Sequence, residues 1–497
     1  MHVRLRTVLW LALLCVVALP AVSLAQSQIA GTVKDESGGV LPGVTVEAAS
    51  PALIEKTKSA VTDANGRFTI VDLRQGTYKV TFTLTGFSSV VRDGLELPAN
   101  FTATVNADMK VGALEETITV SGQTPLVDVQ QAAKTQVLTR DIIDSLPSTR
   151  NIMSVGNFVP GIRLGTPDIG GSRSMEQTNP RGHGLGTTHT VQQIDGMSVN
   201  SQETSNQQSY YDDALSAEVT VTTSAQTAEN QSGGMRVNAI PKDGGNIVSG
   251  SVFFGGSDGN WQSDNISDYL KTQNISSANG IVHIQNFNGS LGGPVKKDKV
   301  WFFVAARHIS TDEKVANVPL FLTAPNGDFI RSLLDQYIRD TLGRATWQLN
   351  QKNKIAAFMQ RTWKRKGKDF GFGTDPRAGT QRDPHHGHYA IGDFKYTNTL
   401  TSKILIEAGY STAYQHWTGF NQPYNDFART DPRWIANAQK TDTALNINPQ
   451  CAYTFGCTTW VSESQDQRTE DTRRVFIGTA SYVTGTHNIK FGVQDSF

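Results

Sequence analysis

The sequence predicts a mainly β protein in three folded parts: a β-sandwich, a small α+β unit, and the first part of a transmembrane antiparallel β-barrel. Three observations carry this. Between residues 26 and 112, short alternating runs are separated by glycine turns, as in Tyr78-Lys79-Val80-Thr81-Phe82 after Gly76. From 123 to 246 a short capped helix is mixed with brief strands. Past Asn246, strands of roughly ten residues alternate with short turns on one side and long polar excursions on the other, the pattern of an outer-membrane barrel.

Residues 1–25 read as a secretory leader. Arg4 and Arg6 give a basic start, Val8 to Leu19 an apolar run, and Ser23-Leu24-Ala25 small residues for cleavage. No segment reaches the ~20 apolar residues of a spanning helix. The 45 basic and 45 acidic residues cancel, so there is neither a basic field for nucleic acid nor an acidic tail. Of three cysteines, Cys15 leaves with the leader. Cys451 and Cys457 then share one loop-like segment, QCAYTFGC. An oxidising compartment favours a disulfide between them, two free thiols being the alternative, and the loop lacks further ligands for a metal.

In the first part, Ile29 to Val33, Val44 to Glu47 and Phe68 to Ile70 read as strands, with Gly38-Gly39 as a turn and Asn65-Gly66 as a hairpin signal. GTVKDESGGVLPGVTVEA, TDANGRFTI, LRQGTYKVTF and TGF resemble the carboxypeptidase regulatory-like domain, of the carbohydrate-binding-like fold. The resemblance implies an accessory domain without peptidase activity, and no HExxH occurs to supply zinc ligands and a base.

Residues 113–122 form a boundary. Glu116, Thr117, Ile118, Thr119 and Val120 alternate polar and β-branched side chains; they could add as an edge strand to a partner sheet, or end the preceding sandwich, or serve as a linker. Their place in the chain resembles the TonB box of energised outer-membrane receptors. The resemblance implies a TonB-type energy-transducing partner in the inner membrane.

In the third unit, Thr139 is placed to cap a helix from Arg140 to Leu146, stopped by Pro147, and a second apolar turn runs from Ile152 to Val159. Then follow Arg181-Gly182, Asp195-Gly196, Glu218-Val219 with an apolar strand, and Gly233-Gly234 before a closing strand and Lys242. This order resembles the plug domain of TonB-dependent receptors. The polar run from Ser198 to Asp213 departs from a compact plug, as a loop on the substrate side or as a disordered insertion. The glycines of Arg181 to Gly186 neither close a strand nor open a helix, so they make no phosphate cradle.

Residues 247–497 carry about nine expected strands: Val248–Gly255, His283–Gly292, Lys299–His308, Leu342–Leu349, Lys354–Trp363, His388–Thr399, Lys403–Tyr414, Thr472–Val483 and His487–Gln494. Ser290 to Pro294 is expected to end one strand at a tight turn, with Val300 to Val304 starting the return. Phe287 and Leu291 share a face opposite Asn286 and Asn288; Ile404, Ile406, Ala408 and Tyr410 share a face, as do Ile489, Phe491 and Val493 opposite Lys490. LGGPVKKDKVWFF after a plug resembles the Oar-like branch of TonB-dependent receptors. The resemblance, running through nearly the whole chain, implies an outer-membrane transporter importing a scarce extracellular solute (carbohydrate, siderophore or peptide). The competing expectation is a surface adhesion or secretion-related protein anchored by the barrel.

An odd strand number leaves an unpaired edge in lipid, and plugged barrels have ~22 strands. The chain is therefore expected to be a C-terminally incomplete receptor, although Phe497 supplies the aromatic terminus of a finished barrel. No catalytic constellation, metal site or cofactor is expected. The histidines of Asp383 to His388 read as a solvated loop. Tyr210-Tyr211-Asp212-Asp213 and the aromatics Trp417, Tyr424 and Trp434 are candidates to stack on a ligand or to pack loops against the barrel mouth. Mass spectrometry of non-reduced protein is expected to find Cys451 linked to Cys457; alkylation of both thiols would refute the bridge.

Overall fold

The computed structural model describes residues 27–97, 102–112, 117–121, 134–146, 151–152, 158–164, 180–201, 210–224, 232–369, 380–382, 388–423, 428, 430–432 and 467–497, less 52, 54, 55, 75, 183, 264, 325, 326, 402, 403, 485 and 486. The expected leader, Glu116, His385, His386, Tyr424, Trp434, Cys451 and Cys457 lie outside the described residues.

The N-terminal strands are β1 (Ser27–Asp35), β2 (Thr45–Ala49), β3 (Thr57–Val61), β4 (Arg67–Leu73), β5 (Gly76–Thr83), β6 (Ser89–Leu97), β7 (Thr102–Thr104), β8 (Ala107–Met109) and β9 (Thr117–Ser121). They form two sheets, β4-β1-β7 with β8 also on β1, and β3-β2-β5-β6-β9. Ile29, Val33, Val46, Tyr78, Val80 and Phe82 are fully buried between them, with Phe68 edge-on to Phe82 at 5.5 Å. The period-2 pattern of Tyr78, Val80 and Phe82 therefore marks the inner face.

Asn65-Gly66 does not make the expected hairpin. β3 pairs with β2, and β4 pairs with β1 in the opposite sheet. The turn is instead a corner between sheets. Asp63 holds it by accepting from the backbone N–H of Asn65 and Arg67 at 2.9 and 3.0 Å. The same local chemistry that favours a two-residue hairpin serves equally to send the chain across the sandwich.

The second unit comprises β10 (Lys134–Thr139), α1 (Arg140–Ser145), β11 (Ile162–Leu164), β12 (Pro180–Gly182), β13 (Val191–Ile194), β14 (Met197–Ser198), β15 (Ser216–Ser224) and β16 (Arg236–Pro241). Thr139 caps α1 by accepting from the Ile142 N–H, as its sequence position predicts. The sheet order is β10-β15-β16-β13-β14.

The wall comprises β17 (Ser249–Asp258), α2 (Asp268–Thr272), β18 (Gly280–Lys296), β19 (Val300–Lys314), a small hairpin of β20 (Phe321–Thr323) and β21 (Phe329–Arg331), β22 (Leu334–Asn350), β23 (Asn353–Asp369), β24 (Thr380–Arg382), β25 (His388–Thr401), β26 (Ile404–Asn421), β27 (Gln467–Thr484) and β28 (His487–Ser496). Antiparallel pairing runs from β17 to β28 as one ten-stranded sheet, with β25 between β23 and β26 and β24 bridging the same two strands. Among the described residues β17 and β28 do not pair with each other.

Two expectations need correction. Among the described residues nine long strands stand where nine are predicted, but several run 17 or 18 residues rather than about ten, and β24 adds a tenth inside a predicted loop. In addition, Gly292-Gly293-Pro294 does not end β18, which continues to Lys296. β17 begins opposite Gly292, so beyond it β18 has a neighbour only on the β19 side and the missing proline donor costs little. A side chain at Gly293 would meet Val248 at 2.9 Å, so the glycine lets the incoming chain cross close by.

The sheet's two faces divide as predicted. Val252, Phe254, Leu291, Val304, Met359, Phe394, Phe476, Phe491 and Val493 are exposed on one face. Phe303, Ala305, Leu342, Phe358, Ile391 and Ala413 point the other way and form one core with Ile194, Val199, Leu215, Val219 and Val237 of the second unit. Register aligns Val300, Trp347 and Ile355 near the turns, and His308, Arg339 and Trp363 toward the loops. From Ile355 to Trp363 the strand advances about 26 Å at ~3.3 Å per residue, the span of an apolar belt. Polar aromatic ends and cations mark both rims, as at a membrane interface.

Met359 lies midway in that belt and is exposed. Met359→Arg is expected to weaken the folded barrel in lipid vesicles by ~2–4 kcal/mol, whereas Met359→Leu changes it little. Equal denaturant midpoints for the two variants would refute a lipid-facing belt.

Candidate functional site

The chain's inner unit is fastened to the wall at two levels. The lower level, toward the short turns, starts from Asp195-Gly196. These residues link β13 to β14 with φ of 52° and 87°, both positive, so a two-residue turn with glycine second fits the sequence. The turn pushes the Asp195 carboxylate against the wall, where Arg344 Nη2 stands at 2.9 Å and Lys395 Nζ at 3.7 Å. Lys395 also pairs with Glu407 at 3.1 Å. Burial pushes the Asp195 carboxyl up, but Arg344 and Lys395 outweigh it and hold the group well below the usual carboxylate range.

Asp243, just after β16, completes this level. Its side chain is 3% exposed and accepts from Arg344 Nε at 2.6 Å, from the Thr346 hydroxyl, and from Arg74 of the N-terminal sandwich. One carboxylate thus joins all three parts of the chain. Asn246 then accepts from the indole N–H of the fully buried Trp301 at 2.8 Å.

The upper level uses Tyr210 to Asp213. Asn288 donates to Asp212 at 2.6 Å and Arg307 Nη1 lies 3.8 Å from it, while Arg307 Nε donates to Asn286 at 3.1 Å. Burial raises the Asp212 carboxyl to about 6, with Arg307 opposing the rise. Arg140 of α1 donates to the Asp213 backbone carbonyl at 2.6 Å and pairs with its carboxylate at 3.1 Å. Tyr210 stacks edge-on with Tyr389 at 5.2 Å and carries Lys364 Nζ 4.3 Å above its ring. Ser201 donates to Asp471 at 2.8 Å. Tyr210 and Tyr211 are buried, so they pack against the wall and do not present rings to a ligand. Trp417 likewise packs partly buried beside Tyr210 and Tyr389.

The remaining sequence candidates are dispersed. Arg181 and Gly182 lie in β12, paired to β11, with Arg181 exposed. Gly233 and Gly234 precede β16. A side chain at Gly234 would stand 2.1 Å from the His189 carbonyl oxygen, so only glycine fits there, whereas nothing crowds Gly233. Glu218 lies in β15, opposite Thr139 and Ile240, and is 3% exposed. Its Oε2 has no hydrogen-bond partner, and burial raises the carboxyl to about 8, with Arg74 pulling it back. Thr117, Ile118, Thr119 and Val120 form β9, which pairs in parallel with β6 from Ser89↔Thr117 to Asp93↔Ser121 and ends the sheet path.

Sequence reading missed Arg344, Asp243, Arg307 and Lys395. No period-2 signal marked them, because Arg307, Arg344 and Lys395 share the inner face of their strands with apolar Phe303, Leu342 and Ile391. Among the described residues no group of three or more His, Cys, Asp or Glu is arranged to hold a metal ion.

Glu218 has a pH signature. With a folded pKa of about 8 against an ordinary 4.5, the folded state keeps a proton that the unfolded chain loses. Stability therefore falls as pH rises from ~4.5 to ~8 and is level above. Glu218→Gln is expected to stabilise the fold most at pH 8–9 and least near pH 4. A thermal-midpoint difference that does not change across this range would refute the buried neutral acid.

Comparison with known proteins places these features. Residues 28–110 match the family described as the carboxypeptidase regulatory-like domain. The chain is similar to the TonB-dependent transporter Oar of Myxococcus xanthus, 24% identical over 419 residues, covering 78% of this chain and 38% of Oar. Among solved structures, the outer membrane transporter YddB from Escherichia coli aligns with a TM-score of 0.48 and 14% identity, over 72% of this chain and 47% of that one. A mutant ferric enterobactin receptor, PfeA of Pseudomonas aeruginosa, in complex with enterobactin, aligns with a TM-score of 0.46 and 11% identity, over 74% and 50%. The chain spans half or less of the length of each.

Proposed function

We propose that this chain, an Oar-like TonB-dependent outer-membrane receptor sequence with a carboxypeptidase regulatory-like domain at its N-terminus, works in the outer membrane to bind a small extracellular solute and import it. One observation carries the reading: a sheet with an apolar outer face encloses a separate unit that is held to it by buried charged side chains as well as by a shared apolar core. A wall that served only as an anchor gains nothing from a plug seated on ions. A transport path does, because ionic seats can be exchanged for water when the plug shifts.

The division of labour follows the chain. The leader, 1–25, addresses it; 26–112 form the sandwich, 113–122 the TonB-box-like segment, 123–246 the plug, and 247–497 the barrel portion. The short-turn end, where Arg74 meets Asp243, faces the periplasm and the long-loop end faces outward. Within the segment Glu116 to Val120, residues 117–120 offer the TonB-type partner a strand edge: among the described residues β9 pairs only with β6. A partner strand added there would use main-chain bonds and little side-chain specificity. Force on β9 would then pass through the sandwich to Arg74, and from Arg74 to Asp243 in the plug.

The plug motif residues act in this scheme as its frame. Asp195-Gly196 makes the turn that reaches the wall, Gly234 allows the close approach to His189, and Glu218 lies under the sandwich. Arg181-Gly182 and Gly233 shape the plug's connections. The chemistry is binding and movement, not bond making, so no enzymatic step is assigned.

Deleting Glu116–Val120 is expected to abolish solute uptake while leaving the protein in the outer membrane and any surface adhesion intact. Ile118→Pro, which removes one donor from the strand, is expected to reduce uptake strongly. Unchanged uptake by the deletion would defeat the transport reading in favour of an anchored adhesion or secretion role.

A further inference from the structure

The outer face of the wall is not uniformly apolar at its loop-side rim. A groove of about 610 Å³ opens there across β18, β19, β22 and β23, lined by Phe287, His308, Tyr337, Arg339 and Trp363 among others. Register places Phe287, His308, Arg339 and Trp363 side by side on four successive strands. Arg361 follows two residues below Trp363 on the same face and is exposed.

Two guanidiniums lie on aromatic rings at this rim. Arg339 lies over the ring of Tyr337 at 5.0 Å and Arg361 over that of Trp363 at 4.9 Å. Among the described residues neither forms an ion pair. His308 Nδ1 is buried and lacks a hydrogen-bond partner. The nearest acids are committed elsewhere. Asp340 turns inward and accepts from Thr362 and Gln360. Asp312, further toward the loops, has Arg331 and His283 each at 3.6 Å. Asp335 lies beside Lys368 and Arg365.

Two guanidiniums at the upper edge of a lipid-facing belt stand at the level of the headgroups, where an anionic group can meet them. Their aromatic platforms hold them flat against the wall, with the planar donor forks free to take oxygen pairs. The belt below, with Leu291, Val304 and Met359 exposed, suits acyl chains. From this juxtaposition we infer that the groove is a binding site for the phosphate-bearing headgroup of an outer-leaflet glycolipid. Arg339 and Arg361 take the phosphate, Tyr337 and Trp363 flank the sugar, and the belt receives the chains. The inference rests on the outer-membrane reading above.

The test uses protein purified from outer membranes and native mass spectrometry with three probes: a phosphorylated glycolipid, the same lipid dephosphorylated, and inorganic phosphate. Retention of the phosphorylated lipid alone is expected, and Arg339→Ala/Arg361→Ala should lower it about tenfold, as loss of a charge-assisted hydrogen bond implies. Arg339→Lys/Arg361→Lys should recover part of it, and Lys352→Ala at the opposite rim should leave it unchanged. Heat-modifiable gel migration establishes that each variant is folded; should the double alanine variant fail, Arg339→Gln and Arg361→Gln singly read the same loss. Equal retention of the dephosphorylated lipid, displacement by inorganic phosphate alone, or undiminished retention in the folded variants would overturn the site. Absence of the protein from the outer-membrane fraction would instead overturn the reading on which it rests.

Discussion

The seat of the plug depends on one guanidinium. Arg344 is 7% exposed on its side chain and stands between Asp195, on the hairpin turn of the plug, and Asp243, at the plug's exit into the wall. With Lys395, Glu407 and Arg74 it makes a set of three cations and three carboxylates, a neutral sum within the paired groups. Such a set adds little net stability over apolar packing, but losing one member strands a buried charge at a cost of ~3–5 kcal/mol. Its value is positional. It fixes which way the plug sits, and it ties the sandwich to the same point through Arg74. Asp393, at the same register on β25, has both carboxylate oxygens buried without hydrogen-bond partners, so the seat is not fully satisfied even here. A partly satisfied polar network is where an inserted element is most readily rearranged.

This arrangement follows from the solvent. In a bilayer the sheet must turn its apolar side outward, so the inner side of the wall can carry what lipid refuses: Arg307, Asp340, Arg344, Lys364, Asp393 and Glu407 are buried there on β19, β22, β23, β25 and β26. Buried polar groups need partners, and the plug supplies them through Asp212, Asp195, Asp243 and Tyr210. The apolar plug core meets the wall as well, in one cluster that includes Phe303, Ala305, Leu342, Phe358, Ile391 and Ala413. Wall and plug are thus complementary in charge as well as shape.

What could be read in the sequence was whatever a local period encodes. Phe287 against Asn288, and Ile489, Phe491 and Val493 against Lys490, sort correctly because each strand has one face to lipid and one to the plug. Strand ends were not legible, because beyond the belt both faces turn polar, as in Ser310–Lys314 and Arg365–Asp369, and periodicity vanishes while pairing continues. β24, three residues without an apolar pattern, exists only because β23 and β26 lie on either side. Asn65-Gly66 and Gly292-Gly293-Pro294 failed for a different reason. Turn chemistry reports which dihedrals are allowed, and the sheet partners decide whether the chain reverses there. The charged seat was the least legible of all. Asp243 in PKDGGN and Arg344 in LGRATW are 101 residues apart, and nothing local links them.

The extra length of the wall strands also bears on where a solute would be met. A tilted strand needs about 9–11 residues to cross the bilayer, yet β22 and β23 have 17 and β26 has 18. The surplus lies on the loop side, since the opposite ends close in short turns such as Asn350–Asn353. There the inward residues Thr311, Gln336 and Lys364 are buried and polar, and Tyr210 with Ile309, Ile338 and Tyr389 roofs the plug. Asn200 and Ser201 on one side, and Tyr210 to Asp213 on the other, are bonded to plug and wall at this height. On the proposed transport reading, a solute arriving from the loop side would meet a polar collar first and the plug's anchored upper segment second. Because Asp212 is tied to Arg307, and Arg307 belongs to the wall, contact at that segment bears directly on the upper of the two charged seats. The lower seat, with Arg344, lies about 13 Å further along the strands, four residues at ~3.3 Å each, and answers to the opposite compartment through Arg74. Each side of the membrane thus has its own ionic hold on the plug.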